Sequence, residues 1–175
     1  MARYDASTAT CHVFTYKEGL LSKLAHDLKI EVTSFTIDAS ADAIEASFDP
    51  RSLRVACCMK DGREAPGTLS DRNKRTIEDS IAKDVLNAKR HPKITFTSTR
   101  IDPRDDGGFD IQGDLALHGA RRPVSLRVTR EGGALQTRVR LHQPDFGIKP
   151  YQAMMGTLKI KPAVEVTLSL PEDAL

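Results

Sequence analysis

Residues 109–128, FDIQGDLALHGARRPVSLRV, carry the pattern that decides the fold of this chain. Large apolar residues take alternate positions in both halves of the stretch: Phe109, Ile111, Leu115 and Leu117, then Val124, Leu126 and Val128. Polar residues such as Asp110, Gln112 and Asp114 stand between them. Because successive side chains of a β-strand point to opposite faces, each half predicts a strand with one buried face.

The same alternation recurs on both sides of this stretch. It runs through residues 28–32, 44–48, 53–57, 94–96, 135–141 and 164–170. After Val32 the next large apolar residues are Phe35 and Ile37, so the parity shifts near Ser34, as a β-bulge or a sharp bend requires. Taken together the pattern predicts about eight strands joined mostly by short turns, and one-sided strands favour an antiparallel sandwich or closed barrel.

One segment has a different periodicity. Residues 71–88 carry apolar side chains at the spacing of an amphipathic helix, and Ser70 or Asp71 can cap its N-terminus. The stripe consists of Ile77, Ile81 and Val85. No other helix is predicted, which excludes parallel βαβ winding. No repeat or linker marks a boundary, so we predict a single domain over residues 1–175.

Composition and charge limit the function classes. The chain has 175 residues, of which 39% are hydrophobic and 29% charged, and this balance is typical of a folded globular domain. Its 26 Lys and Arg against 24 Asp and Glu give a net charge of +2, too small to select a nucleic acid partner. No run of about 20 apolar residues occurs, so no integral membrane segment is predicted.

The N-terminus and the cysteines bear on localisation. Residues 1–5 are followed by Ser and Thr, without the apolar core of a signal peptide. The sequence as it stands therefore predicts a cytoplasmic protein, and removal of a signal peptide would change that expectation to the periplasm. An odd number of cysteines, Cys11, Cys57 and Cys58, without regular spacing agrees with a reducing compartment.

The interior of an eight-stranded barrel is either filled by side chains or wide enough for one small ligand. Ala46, Gly113 and Thr137 stand between larger inward residues, aromatic residues form 5% of the chain, and Trp is absent. These slender positions favour a cavity, although a close-packed barrel also fits the pattern. A hydrocarbon chain in such a cavity would gain about 0.8 kcal/mol for each CH₂ group removed from water.

Three blocks of sequence resemble the YceI-like family of polyisoprenoid-binding proteins. Residues 91–96 (HPKITF) are similar to its Pro-x-Ile-x-Phe segment, and residues 145–148 (DFGI) match its Asp-Phe-Gly-Ile segment. Residues 113–119 (GDLALHG), followed by Pro123 and Val124, are similar to its Gly-x-Leu-x-Leu-x-Gly hairpin. The resemblance implies an all-β, mainly antiparallel fold, an extended lipocalin-like eight-stranded barrel with one amphipathic helix. It also implies a long-chain isoprenoid or lipid ligand, no catalytic residue, no metal and no cofactor.

From these features we predict a non-catalytic carrier with its ligand in the barrel interior. His26 or Tyr151 is predicted to meet a polar head of the ligand. The residues predicted to line the tunnel are Phe14, Leu24, Phe35, Phe96, Phe146, Met154 and Met155. The segment between Asp145 and Leu158 is partly apolar and contains adaptable methionines, so we expect it to form the mouth of the tunnel or a lid packed on the core.

Other hypotheses remain open at this stage. His26 and Asp27 could serve as acid and base of a barrel enzyme acting on a lipid-like substrate, although such a pair more often completes local hydrogen bonds. A purely structural or partner-binding barrel is a third interpretation. The histidines lack a short ligand spacing and Cys57-Cys58 lacks the Cys-x-x-Cys pattern, so no metal site is predicted. Homodimerisation is common for such folds and would protect an open strand edge.

Overall fold

The computed structural model describes residues 1–19 and 26–175, with only the backbone at Met154. The strands are β1 Ala2–Asp5, β2 Thr10–Thr15, β3 Asp27–Val32, β4 Phe35–Ala39, β5 Ile44–Phe48, β6 Leu53–Lys60, β7 Arg63–Ala65, β8 Ile94–Pro103, β9 Phe109–Leu117, β10 Ala120–Glu131, β11 Ala134–His142, β12 Gln152–Ala153, β13 Leu158–Lys159 and β14 Ala163–Pro171. Helix α1 spans Asp71–Ser80 and continues as a π-helical turn, Ile81–Val85. Two 3₁₀ turns span Gln143–Phe146 and Met154–Gly156.

The described strands form an antiparallel barrel. Three long strands are each bent into two halves, β1 with β2, β3 with β4, and β5 with β6. These three and β8, β9, β10, β11 and β14 make eight in the described chain, each paired with the next along the sequence, and β14 pairs back to β2. Strand β7 extends β6, and β12 and β13 form a separate hairpin. The predicted all-β, mainly antiparallel lipocalin-like fold with one helix is confirmed, while the described chain divides into more strands than the eight that were predicted.

The parity shift predicted near Ser34 is the bend between β3 and β4. Val32 and Phe35 are both buried, although three positions of regular strand would place them on opposite faces. The buried Ser52 holds the bend: its carbonyl oxygen accepts hydrogen bonds from Thr33 N at 3.0 Å and Thr33 Oγ1 at 2.8 Å, and its hydroxyl accepts one from Ser34 N at 3.1 Å. Thr33 and Ser34 therefore bend the strand, and the backbone N–H groups of both residues keep a hydrogen-bond partner in Ser52.

The helix begins as the sequence predicts, with Ser70 Oγ accepting a hydrogen bond from Asn73 N at 3.2 Å. Its last turn differs from the prediction, because Leu86 N bonds to Ile81 O, five residues back, at 2.8 Å. A π-helical turn holds one residue more than an α-helical turn and so rotates the following side chains. As a result Val85 and Leu86 both face the interior.

The two ends of the barrel differ in packing. The turns at residues 40–43, 104–108 and 132–133 lie at one end, here called the turn end. The turn at residues 118–119 and the connection at 143–162 lie at the other, the loop end. Inward side chains near the turn end are buried: Ile111, Val128 and Leu135. Inward side chains of the same strands nearer the loop end are only half-buried: Leu117, Val124 and Leu141. Residues of both groups line the interior cavity, and the more accessible of them lie toward the loop end.

Candidate functional site

The hollow part of the barrel is a cavity of about 480 Å³. Aliphatic side chains from β2 to β6, from β8 to β11 and from β14 form most of its wall, and α1 and the π-helical turn contribute Ile77 and Ile81. Among the described residues that line it there is no Asp, Glu, Lys or Arg. Its size is within the usual range of small-molecule sites, roughly 300–1,000 Å³. A wall of this composition removes apolar surface from water and offers no partner to a buried charge.

Polar lining groups gather near the loop end. Thr15 is the last residue of β2, His26 precedes β3, and Tyr151 lies in the connection between β11 and β14. A backbone hydrogen bond from Ile160 N to Tyr151 O at 3.0 Å closes that connection on itself, and another from Lys161 N to Tyr16 O at 2.7 Å fastens it to the residue that follows β2. The Thr15 hydroxyl is buried and has no hydrogen-bond partner among the described residues. The cavity therefore combines a mainly apolar wall with a group of polar side chains near the loop end, while Gln136 and Thr137 are polar lining residues nearer the turn end.

Four of the residues predicted to meet a ligand lie on the cavity wall: His26, Phe96, Phe146 and Tyr151. Phe35 is buried beside the cavity, where its ring stacks on Phe48 with centroids 5.7 Å apart, and it is Phe48 that lines the space. Whether any of these side chains touches a ligand stays a prediction.

The positions expected for Phe14 and Met155 need correction. In β2 the residues Cys11, Val13 and Thr15 face the cavity, so the alternation turns Phe14 outward, where Arg138 lies 5.6 Å from its ring centroid. Met155 is fully exposed to solvent. Leu24 lies outside the described residues, and so does the side chain of Met154.

His26 and Asp27 do not face a common site. His26 lines the cavity, whereas the Asp27 carboxylate accepts a hydrogen bond from Lys17 N at 2.8 Å and is absent from the cavity lining. Adjacent residues at the start of a strand point to opposite faces, which separates the two side chains. The carboxylate of Asp27 therefore does not share the cavity with the imidazole of His26.

Sequence reasoning missed most of the wall, which is aliphatic. Half-buried Val139, Val164 and Val166 line the cavity, and their alternate spacing is the signal that could have identified them. It also missed Cys11, a buried lining residue; burial raises the pKa of this thiol to about 12, so it stays protonated and behaves as a small apolar group. Parity indicates which side chains point inward, but only the packing shows which of them border empty space.

The three sequence blocks meet at the loop end. The rings of His91 and His118, from the first and second blocks, have centroids 4.6 Å apart. His118 Nδ1 lies 3.3 Å from the carbonyl oxygen of Phe146 in the third block, and Arg122 Nε donates to Asp145 O at 3.0 Å. Phe146 lines the cavity directly behind these contacts. The blocks thus fix one rim of the cavity.

In residues 1–19 and 26–175 no three His, Cys, Asp or Glu side chains are grouped so that they could hold a metal ion. No helix in the described part of the chain has both the length and the apolar character needed to cross a bilayer.

An antiparallel barrel with a hollow apolar interior and one covering helix defines the class of lipocalin-like barrels. Within that class the chain belongs to the YceI-like domain family, whose family model matches residues 4–171.

Relatives and solved structures agree with this assignment. A UPF0312 protein of Pseudomonas putida (strain W619) is 32% identical over 92 residues, 47% of this chain and 48% of the relative. A UPF0312 protein of Vibrio cholerae serotype O1 is 27% identical over 119 residues, 60% of each chain. The matched stretches thus span about half the length of these curated relatives.

Two solved structures share the fold. Burkholderia cenocepacia BcnA superimposes with a TM-score of 0.68 at 16% identity, over 95% of this chain and 97% of its own. A polyisoprenoid binding domain from Saccharophagus degradans, implicated in plant cell wall breakdown, superimposes with a TM-score of 0.61 at 12% identity, over 93% and 91%.

Proposed function

We propose that this protein is a non-catalytic carrier that holds one long isoprenoid or similar lipid in the barrel. The observation that carries the proposal is the cavity itself, which has no Asp, Glu, Lys or Arg side chain among its described lining residues. A wall of that kind favours a hydrocarbon chain, which gains about 0.8 kcal/mol per CH₂ group removed from water. The Saccharophagus degradans domain of the same fold is described as polyisoprenoid-binding, which supports this ligand class.

The polar groups give the proposed ligand a direction. A hydrocarbon tail would occupy the aliphatic part of the cavity, while a small neutral head would lie near Thr15, His26 and Tyr151. The Thr15 hydroxyl is the strongest support, because a buried hydroxyl normally has a hydrogen-bond partner and this one has none among the described residues. A hydroxyl or carbonyl group of the ligand would supply it.

The enzyme hypothesis has less support. It requires His26 and Asp27 at one site, and Asp27 is bonded to Lys17 N outside the cavity lining. Homodimerisation and a cytoplasmic location stay predictions. Strands β1 and β7 are the edges of the described sheet, and a second copy could cover either of them.

The direct test is mass spectrometry of an organic extract from protein purified without detergent. We expect a long-chain lipid in roughly equimolar amount, or its uptake when the purified protein is mixed with isoprenoid alcohols or quinones. An extract that stays empty after such mixing would refute the proposal.

Two neighbouring residues of β10 supply a matched pair of variants. Val124 faces the cavity and Ser125 is exposed on the outside. Val124→Trp should fill part of the cavity and reduce lipid uptake at least tenfold, whereas Ser125→Trp should leave uptake unchanged. Equal uptake by the two variants would place the lipid elsewhere.

A further inference from the structure

The small net charge of the chain conceals a separation of charge between the two ends of the barrel. At the turn end, Arg104 is paired with Asp106 at 2.7 Å and with Asp110 at 3.1 Å, and Arg130 is paired with Glu172 at 3.1 Å. Asp42 and Asp105 are further exposed carboxylates at this end. The exposed surface of the turn end is therefore predominantly acidic.

The loop end has the opposite character. Its exposed cations include Lys17, Arg122, Lys149, Lys159 and Lys161. The backbone brings them together, because Glu18 N bonds to Lys159 O at 2.9 Å, Lys17 bridges to Ile160, and Arg122 reaches Asp145 O. Glu18 and Asp145 are the exposed acids among them, and Asp145 lies 3.1 Å from His142. A surplus of positive charge thus surrounds the loop end, where His26 and Tyr151 line the cavity.

An exposed apolar side chain projects from the same surface. Met155 and Met1 are the large hydrophobic residues exposed in the described chain. Met155 lies between β12 and β13 with φ 56° and ψ 33°, a left-handed conformation that is uncommon for a residue other than glycine. Tyr151 and Leu158, on the two sides of this hairpin, line the cavity. The hairpin therefore connects the cavity wall to an apolar tip among lysines.

From this arrangement we infer that the loop end is a docking surface for an anionic lipid bilayer, with Met155 entering the interface and the surrounding lysines contacting headgroups. Lysines near an anionic membrane each contribute roughly 1 kcal/mol, and an apolar side chain at the interface adds to the attraction. A nucleic acid partner is less suitable, because in the described part of the chain no exposed Phe or Tyr stands among these cations to stack on bases. The inference goes beyond carriage of a lipid and does not require it, since an empty barrel has the same surface.

Flotation with lipid vesicles tests the inference. We expect delipidated protein to float with vesicles that contain about one third phosphatidylglycerol and not with pure phosphatidylcholine, and to be released by about 0.5 M NaCl. Lys149→Gln with Lys159→Gln should weaken vesicle binding roughly 25-fold, about fivefold per charge. Arg100→Gln with Arg127→Gln removes the same charge from the wall toward the turn end and should change binding less than twofold.

Met155 is tested separately. Met155→Asn removes the apolar side chain but suits the left-handed backbone, so it should fold normally and bind anionic vesicles several-fold more weakly. Because the chain has no Trp, Met155→Trp is also a single-site reporter whose fluorescence should shift to shorter wavelength with anionic vesicles. Arg127→Trp, on the wall, should show no shift.

Several results would overturn the inference: no vesicle binding, equal binding to neutral and anionic vesicles, or binding unaffected by the lysine and Met155 variants. Displacement of bound vesicles by a short duplex DNA at equal charge concentration would assign the cations to nucleic acid instead. Lipid content is measured on a separate sample, so an empty cavity and a failure to dock are distinguishable results.

Discussion

Gly113 leaves the space that the ring of Phe96 occupies. A Cβ atom at Gly113 would lie 2.4 Å from Cζ of Phe96 and 2.6 Å from the carbonyl oxygen of Thr97. Gly113 and Phe96 are both buried, and they lie on the paired strands β9 and β8, respectively. The sequence pattern suggested that Gly113 widens the cavity. Its missing side chain instead leaves room for the ring of Phe96, which itself lines the cavity.

We therefore expect Gly113→Ala to destabilise the fold by about 1–3 kcal/mol, the usual cost of overpacking a core. Urea denaturation monitored by circular dichroism measures the change. Phe96→Leu should recover part of the loss when combined with Gly113→Ala, because it removes the atoms that clash. Additive effects of the two substitutions would contradict the proposed contact.

Thr15 gives a prediction that distinguishes stability from binding. Its buried hydroxyl has no partner among the described residues, and an unsatisfied buried hydroxyl costs about 1–3 kcal/mol. Thr15→Val should leave the empty protein as stable or make it more stable, while it weakens binding of lipids with a polar head. Binding of a plain hydrocarbon should be unchanged.

Thr137 is the matched control for Thr15. It also lines the cavity, but its hydroxyl donates to Arg127 O at 2.9 Å. Thr137→Val should therefore cost roughly 0.5–1.5 kcal/mol of stability. A similar loss in Thr15→Val would show that its hydroxyl is already satisfied in the folded protein.

His91 should make the loop end sensitive to acid. Burial, together with the charges of His118 and Arg90, lowers the pKa of His91 below its ordinary value. The unfolded chain then binds a proton more readily than the folded one, so the contribution of His91 to stability is present above about pH 6.5 and is lost as the pH falls.

NMR titration of the imidazole carbons would measure the pKa of His91, and denaturation at several pH values would measure the effect on stability. We expect His118→Asn to raise the pKa of His91 toward its ordinary value, since the substitution removes the neighbouring ring and suits the positive φ at position 118. An unchanged pKa in that variant would mean that His118 does not contribute.

Cys11 should be chemically inert in the folded protein. Burial raises the pKa of its thiol from about 9 to about 12, which lowers the thiolate fraction roughly a thousandfold. In a Cys57→Ser, Cys58→Ser background, Ellman's reagent at about pH 8 should react with Cys11 at least a hundredfold more slowly than in the urea-unfolded chain. Rapid labelling of the folded protein would show that Cys11 is accessible.

The predicted and observed structures agree best where one strand face is fully buried. The strands around Ile111, Val128 and Leu135, the bend at Ser34 and the Ser70 cap of the helix all follow from alternation or from local hydrogen bonding. The π-helical turn at Ile81–Val85 was missed, because it adds one residue without changing the apolar spacing enough to be noticed. Local patterns thus predict the helix and the strands, and they fail where one inserted residue rotates the following side chains toward a different face of the helix.

The residues predicted to line the cavity agree less well with the structure than the predicted strands do. Parity in β2 would have excluded Phe14, since Cys11 and Thr15 are the inward residues there, but the interpretation gave aromatic character more weight than alternation. Met155 was expected at the tunnel because methionines are adaptable, and it lies exposed on a hairpin instead. Residue type indicates what a side chain can bind, whereas its direction depends on the strand or turn that carries it.

The sequence by itself determined the all-β class, the order of the strands, the helix that interrupts them and the apolar character of the inward face, because these depend on neighbouring residues and on a period of two. Only the tertiary structure decided that Leu135 is buried while Leu141 is half-buried on the wall of the same cavity, that His26 and Asp27 face apart, and that the cations gather at the loop end. Those features depend on residues far apart in the chain, which become neighbours only when the strands pair into a barrel.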